Sequence, residues 1–216
     1  KFKDYIAKPF LIKPLDSRGS IGITYLEKGS KSDQIGDAIA NAICASPSKK
    51  CLIEEYIDGE LLTLDGFLLK GFCIPVAIAK RRRISNGLIV TNKIIYSSNL
   101  DKKLIKKCIN FLKDIAKCLN YSNGHIHCEV LLDKDQKLWL VECTNRGAGV
   151  FTSSTINPYV SGLDLNKLFL DIKLGKNISK TNFEISNFTQ RDASLIFPSL
   201  GEDGKLLYEY NLEKIL

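Results

Sequence analysis

Methionine is absent from all 216 residues, and the chain begins at Lys1. The expectation is a domain cut from a longer protein. No apolar run approaches the ~20 residues that span a bilayer. The opening "KFKDYIAKPF" lacks the apolar core of a signal peptide. Neither membrane insertion nor secretion is expected. The seven cysteines include no Cys-x-x-Cys pair, so the usual spacing of a zinc site is lacking. Most sit among apolar neighbours, where cysteine packs as a small hydrophobe. Reduced thiols in a cytoplasm are the simpler account. Repeats and low-complexity tracts are lacking as well. Positive charge is plentiful, at net +7, but it is dispersed. The one dense run is Lys80 to Arg83, without interleaved aromatics, which argues against a nucleic-acid partner. A diffuse positive field still suits an anionic small molecule.

Hydrophobic residues make up 44% and charged residues 25%, an ordinary globular balance. Pro9 to Lys13 reads as a short buried strand, and Ile23 to Leu26 as its return partner. Ser32-Asp33 looks like a helix start, followed by Ile35, Ile39, Ala42 and Ile43 at helical spacing. "CLIEEYIDGE" reads as a strand ending at Gly59. Leu61 to Leu69 and Phe72 to Ala79 follow as strands joined at Lys70-Gly71, and Leu88 to Tyr96 adds another. Asp101 to Asn120 is the clearest helix, with Leu104, Ile105, Cys108, Ile109, Leu112, Ile115, Ala116 and Leu119 in one stripe. Leu163 to Leu174 suggests a short helix. Leu195 to Pro198 and Leu206 to Tyr210 suggest strands. Mixed strands with interspersed helices make an α+β protein.

His125 to Leu132 and Leu138 to Cys143 form a hairpin in this reading. Val130, Leu132, Trp139 and Val141 lie on one face, and Leu131, Leu138 and Leu140 on the other, so both faces are expected to be covered. With Asp135-Gln136 as a tight turn, Lys134 pairs with Lys137, and Glu129 falls opposite Glu142. Directly opposed Cβ atoms lie about 4.5–5.5 Å apart, where like charges repel. A shared proton or a bound cation would make the pair tolerable. Mg²⁺ takes one or two carboxylates plus substrate phosphates. The alternative is a longer loop, which shifts the register by one and sends one glutamate to the other face. His127 shares a face with Glu129 and reads as a structural histidine. Beyond Glu142, "CTNRGAGVFTSS" offers the Asn145 carbonyl oxygen, the Arg146 cation and the glycines Gly147 and Gly149. A cation site beside an arginine and a glycine-rich turn suits phosphoryl chemistry.

Taken together, "LIKPLDSRGSIGI", "LIEEYIDGELLTLDGF", "HIHCEVLLDKDQKLWLVECTNRGAGV" and "GLDL" resemble the ATP-grasp superfamily in their order and spacing. The likeness is to its carboxylate–amine ligases, including amino-acid ligases and carbamoyl-phosphate-synthase-like proteins. It covers nearly the whole chain. The resemblance implies an ATP-grasp fold of two α+β subdomains with antiparallel sheets enclosing ATP. The small subdomain would be residues 1–57, and the large one residues 58–216. An N-terminal substrate domain of the same protein would be absent from this chain.

The same resemblance implies roles for particular residues. Lys13 would reach the α- and β-phosphates, and Ser17, Arg18, Gly19 and Ser20 would form a mobile loop over the triphosphate. Glu54 would bind near the adenine amino group, with backbone groups of Glu55 and Ile57 reading the ring edge. Glu60 would stand in for the ribose-binding glutamate from one position early, since the family slot falls on Leu61. Glu129, Glu142 and Asn145 would hold Mg²⁺, with Mn²⁺ as an alternative ion. Thr144 occupies the family's asparagine slot, so Asn145 comes one residue late. Lys80 and Arg146 would stabilise charge in catalysis. The implied activity is ATP- and Mg²⁺-dependent joining of a small-molecule carboxylate to an amine through an acyl phosphate. The fragment alone would be poorly active. A non-catalytic nucleotide-binding or regulatory module is the second reading, and a basic nucleic-acid-binding domain the third.

Overall fold

A computed structural model describes residues 7–83, 91–178 and 190–197. Of these, residues 7–58 group into one compact unit, and residues 59–82, 91–178 and 190–197 into another.

The first unit is a small antiparallel sheet under one helix. Strands β1 (Phe10–Pro14), β2 (Thr24–Leu26) and β3 (Cys51–Glu55) lie in the order β2-β1-β3. Helix α1 (Ser32–Ala45) starts where Gln34 Oε1 accepts a 2.9 Å hydrogen bond from the Lys31 backbone N–H. It buries Ile35, Ala38 and Ala42 against Phe10, Ile12 and Leu26. Each fully buried Phe or Ile contributes about 1.5–3 kcal/mol. Period-2 alternation turns Phe10, Ile12 and Pro14 inward and sends Leu11 and Lys13 to the other face.

The second unit is a six-stranded sheet in the order β8-β7-β4-β5-β6-β9. Its strands are β4 (Gly59–Leu69), β5 (Phe72–Arg83), β6 (Thr91–Tyr96), β7 (Gly124–Asp133), β8 (Leu138–Thr144) and β9 (Ala193–Ile196). Lys70 and Gly71, at φ 50° and 77°, make the tight turn between β4 and β5, the left-handed pair that a two-residue hairpin needs. Helix α2 (Lys102–Cys118) is capped by Asp101, whose carboxylate accepts from Leu104 N–H at 2.9 Å. Its stripe Cys108, Leu112, Ile115 and Ala116 packs on Leu62, Leu64, Leu68, Cys128 and Val130. The opposite face is covered in part by Val160 of α3 (Asn157–Ser161) and by Leu165 and Leu168 of α4 (Leu165–Lys173). These meet Phe67, Val76, Ala77 and Tyr96. The α+β class is as expected.

Several boundaries differ from expectation. Strand β5 continues past Ala79 to Arg83, because Lys80 and Arg81 stay paired with Leu62 and Leu61 of β4. The expected strand start at Leu88 and the strand Leu206 to Tyr210 lie outside the described residues. A π-helical turn, Thr152–Ile156, leads directly into α3, and neither had been expected from the sequence.

The β7–β8 hairpin reaches its expected glutamate pairing by a different route. Asp133 and Lys137 close a longer loop, with Gln136 left-handed at φ 62°. Leu132 then pairs with Leu138, Leu131 with Trp139, and Val130 with Leu140. A bulge between Glu129 and Val130 restores the offset, so Glu129 does face Glu142. The longer loop corrects the side assignment: Leu138 and Leu140 share a face with Leu132 and Val130, and Trp139 stands opposite Leu131. Trp139 instead donates to Asp133 Oδ2 at 2.7 Å under the Lys137 ammonium. Coverage of both faces also stops at this edge strand, where Leu140 is 47% exposed.

Candidate functional site

In the first unit, strand pairing sets Lys13 against Leu52 and Leu11 against Glu54. Lys13 and Glu54 therefore share the face away from α1, and their charges meet at 2.5 Å. Glu55 pairs with Lys8 at 2.6 Å instead. Ile57 lies just past the end of β3, where Tyr56 N–H donates to the Pro9 carbonyl at 2.9 Å. Beyond β1, Asp16 is the anchor of the loop. It accepts from the Ser46 hydroxyl and from Ser48 N–H at 3.1 Å, and the Ser46 bond foremost holds its carboxyl below the usual range. Ser17, Arg18, Gly19 and Ser20 follow, all exposed, with Gly19 and Ser20 left-handed at φ 63° and 60°.

In the second unit, β4, β7 and β8 set side chains in rows on the face away from α2. One row is Thr63, Glu129 and Glu142. The next is Asp65, His127 and Thr144. Glu129 also pairs with Arg81, whose guanidinium reaches across β4 from β5 and whose Nε donates to Thr91 Oγ1 at 3.1 Å. Lys80 meets Glu60 at 3.0 Å, but the two lie opposite Leu62 and Leu132 on the α2 face, behind the carboxylate pair, which corrects the expectation that both would line its site.

His127 and Asp65 are 9% and 3% exposed and hydrogen-bonded at 2.8 Å. Burial works against the imidazolium, but the Asp65 hydrogen bond and charge outweigh it and raise the His127 pKa. Around this pair, Asp65 Oδ2, Thr63 Oγ1 and Thr144 Oγ1 are buried without a partner among the described residues. Unpaired buried polar atoms are costly to keep. Three such atoms lie together on the face away from α2.

The segment after β8 divides its residues. Arg146 donates to the Gly147 carbonyl at 2.9 Å and meets no carboxylate among the described residues. Asn145 Oδ1 lies 3.5 Å from where a Cβ on Gly124 would stand. Gly124 opens β7, about 16 Å along the strand from Glu129 at ~3.3 Å per residue. Asn145 is thus turned toward the start of β7, away from the carboxylate pair. Gly147 packs on the π-helical turn, since a Cβ there would meet Ser153 Cβ at 2.6 Å. Next in the chain, Val150 and Phe151 are both left-handed, at φ 48° and 62°. A β-branched residue held there is strained.

Sequence reasoning missed Thr63 and Asp65. It did not single out Arg81 from the run Lys80 to Arg83, whereas β5 carries Arg81 inside the ladder to Glu129. Thr63 and Asp65 were visible as polar residues at alternate positions in "LLTLDGF", the one signal that could have found them.

No three His, Cys, Asp or Glu side chains cluster as a metal cage among the described residues. Two facing carboxylates fit a hard cation that arrives with phosphate oxygens and water, as Mg²⁺ does. They do not make a closed all-protein site.

Comparison with known proteins agrees with this fold. A family model described as an ATP-grasp domain matches residues 6–154. The large chain of carbamoyl phosphate synthase from Thermoanaerobacter pseudethanolicus is 25% identical over 190 residues, 87% of this chain and 17% of that one. The chain therefore spans about a sixth of the curated relatives it matches. Among solved structures, an L-amino acid ligase from Bacillus licheniformis superposes with TM-score 0.73 at 18% identity, over 89% of this chain and 45% of the ligase. A biotin carboxylase from Campylobacter jejuni gives 0.70 at 17% identity, over 87% and 41%.

Proposed function

Because the chain belongs to the ATP-grasp family, we propose that it is the nucleotide-binding portion of an ATP-dependent enzyme that joins a carboxylate to an amine. The small subdomain of this reading is 1–57 and the large one 58–216. The observation that carries it is the Glu129–Glu142 pair, set in register on the polar face of the six-stranded sheet with Arg81 against Glu129.

In this reading Glu129 and Glu142 hold Mg²⁺, which neutralises charge on the triphosphate when bound. Lys13 turns from Glu54 to the phosphates, and the exposed Ser17–Ser20 loop closes over them with its backbone N–H groups. Glu54 and the backbone of Glu55 and Ile57 take the adenine edge. Lys80 and Glu60 stand on the α2 face, so Arg81, on the carboxylate face beside Glu129, takes the phosphate-facing role expected of Lys80, and Glu60 is left out of the site. The substrate carboxylate attacks the γ-phosphate, giving an acyl phosphate and ADP. The amine then displaces phosphate to form the amide. Arg146, which pairs with no described carboxylate, stabilises the charge that develops on the acyl centre. Positioning and charge neutralisation supply the catalysis, and no covalent protein intermediate is required. Mn²⁺ would serve the same carboxylates.

Asn145 is left out of the metal set because its side chain is turned toward Gly124. That observation favours the second reading, a module that binds nucleotide without turnover. ADP release by the natural full-length protein, tested across amino-acid, carbamoyl-type and nucleotide-precursor acids with ammonia or amino acids as acceptors, separates the two. Turnover that depends on both acid and amine supports the ligase. Mg²⁺-dependent ATP binding with no ADP release for any pair supports the silent module.

A further inference from the structure

Two thiols stand directly behind the two carboxylates. Cys128 is paired with Cys143 in the same register that pairs Glu129 with Glu142. Alternation sends the thiols to the α2 face and the carboxylates to the other. Both cysteines are free. Cys128 is fully buried in the α2 core, while Cys143 packs at its margin and remains partly accessible. Opposed residues of antiparallel strands have Cα atoms about 4.5–5.5 Å apart. Disulfides form at Cα separations of about 4.4–6.8 Å. The pair needs no backbone rearrangement to close.

We propose that Cys128 and Cys143 are a reversible redox couple that closes to an intrachain disulfide and, by fixing β8 against β7, weakens Mg²⁺-nucleotide binding at Glu129 and Glu142. The second half rests on the function proposed above. The oxidant is a hydroperoxide. The sulfur of Cys143, the more accessible of the two, attacks the peroxide oxygen, its proton passes to the departing alkoxide, and a sulfenic acid and an alcohol result. Cys128 sulfur then attacks that sulfenic sulfur. The S–S bond forms, the S–O bond breaks, and water leaves with the thiol proton. Two thiols and one hydroperoxide thus give one disulfide, one alcohol and one water. A dithiol reductant reverses the reaction by exchange. Coupling to the carboxylates is short because each thiol is one peptide bond from its glutamate. The bulge between Glu129 and Val130 interrupts the ladder on the far side, so β8 can adjust around Glu142 until the disulfide fixes it.

The test uses the natural full-length protein, treated with tert-butyl hydroperoxide, alkylated and mapped by mass spectrometry, with Mg²⁺-ADP titrated before and after. The expected result is a Cys128–Cys143 linked peptide, at least fivefold weaker Mg²⁺-ADP binding, and recovery of both with dithiothreitol. Cys143→Ser and Cys143→Ala should abolish the linkage and make binding indifferent to peroxide, whereas Cys118→Ser should change neither. Oxidation confined to the exposed Cys44 and Cys118 would overturn the couple. Linkage with unaltered Mg²⁺-ADP affinity would overturn the switch. Reduced protein that binds no Mg²⁺-ADP would sink the proposed function instead, and the linked peptide would still decide the couple.

Discussion

The two faces of the six-stranded sheet are made by the same strands and obey different rules. On β4 and β7, Leu62, Leu64, Ile126, Cys128, Val130 and Leu132 turn to α2, and all are buried apolar groups. Alternate with them are Thr63, Asp65, His127 and Glu129. The α2 face spends its positions on packing. The other face holds a buried ion-pairing histidine, an arginine-bound glutamate and hydroxyls without partners among the described residues. A fold that needed only a core would fill both faces alike. Departure from local consistency is where function is expected to sit.

The largest effect should come from breaking the apolar side. Leu112 is 2% exposed and central to the α2 contact. Leu112→Ala should cost about 2–5 kcal/mol of unfolding free energy, read by urea denaturation. It should leave Mg²⁺-nucleotide affinity of the folded fraction unchanged. A loss of affinity without a loss of stability would mean that the division between the faces is wrong.

Glu142→Gln tests the converse. Glu142 is exposed at the sheet edge, so stability should move by less than about 0.5 kcal/mol. Mg²⁺-dependent ADP binding should fall at least tenfold, about 1.4 kcal/mol. Calorimetry with and without Mg²⁺ decides it, and equal affinity in wild type and variant would remove Glu142 from the site.

Asp65→Asn sharpens the comparison further. The amide keeps the size and one acceptor but removes the charge that faces His127. A loss of about 1–3 kcal/mol is expected from weakening a buried hydrogen bond, with the His127 pKa falling in an NMR titration. An unchanged titration would make the pair incidental.

How much of this contrast could be read from residues depends on the interaction that carries it. The α2 stripe was legible because burial repeats at helical spacing, and Asp101 announced the helix start. The Lys70-Gly71 turn was legible because few residue types tolerate its backbone. The Glu129–Glu142 pairing was reached through two offsetting differences, a longer loop at Gln136 and a bulge beyond Glu129. Pattern alone sees neither, because each changes register without changing composition. The Arg81–Glu129 contact joins residues 48 apart across an intervening strand, and no local signal encodes strand order. The strain at Val150 and Phe151 was hidden for a related reason: left-handed backbone is expected at glycine, and here it falls on the two residues after Gly149.

The smallest effect at neutral pH lies in how each face responds to protons. Burial, the first cause, holds the His125 pKa below its ordinary 6.5 on the polar face. A folded-state pKa depressed in a base means the unfolded chain takes up protons first. Stability is therefore full above pH 6.5 and is lost as pH falls through the folded value. His127 is raised and works in the opposite sense, so wild type shows only their difference. His125→Phe, which keeps an aromatic beside Phe67 and Phe169, should make the protein more stable toward acid relative to wild type. On the α2 face, burial lifts the Cys108 thiol from 9.0 to about 11. There the unfolded chain loses its proton first, so stability is full below pH 9.0 and declines as pH rises through about 11. Cys108→Ala should flatten that alkaline decline and leave the acid side untouched. Urea midpoints collected from pH 5 to 11 for both variants would separate the faces by where each curve departs from wild type. A shared window for the two variants would show that the faces titrate as one.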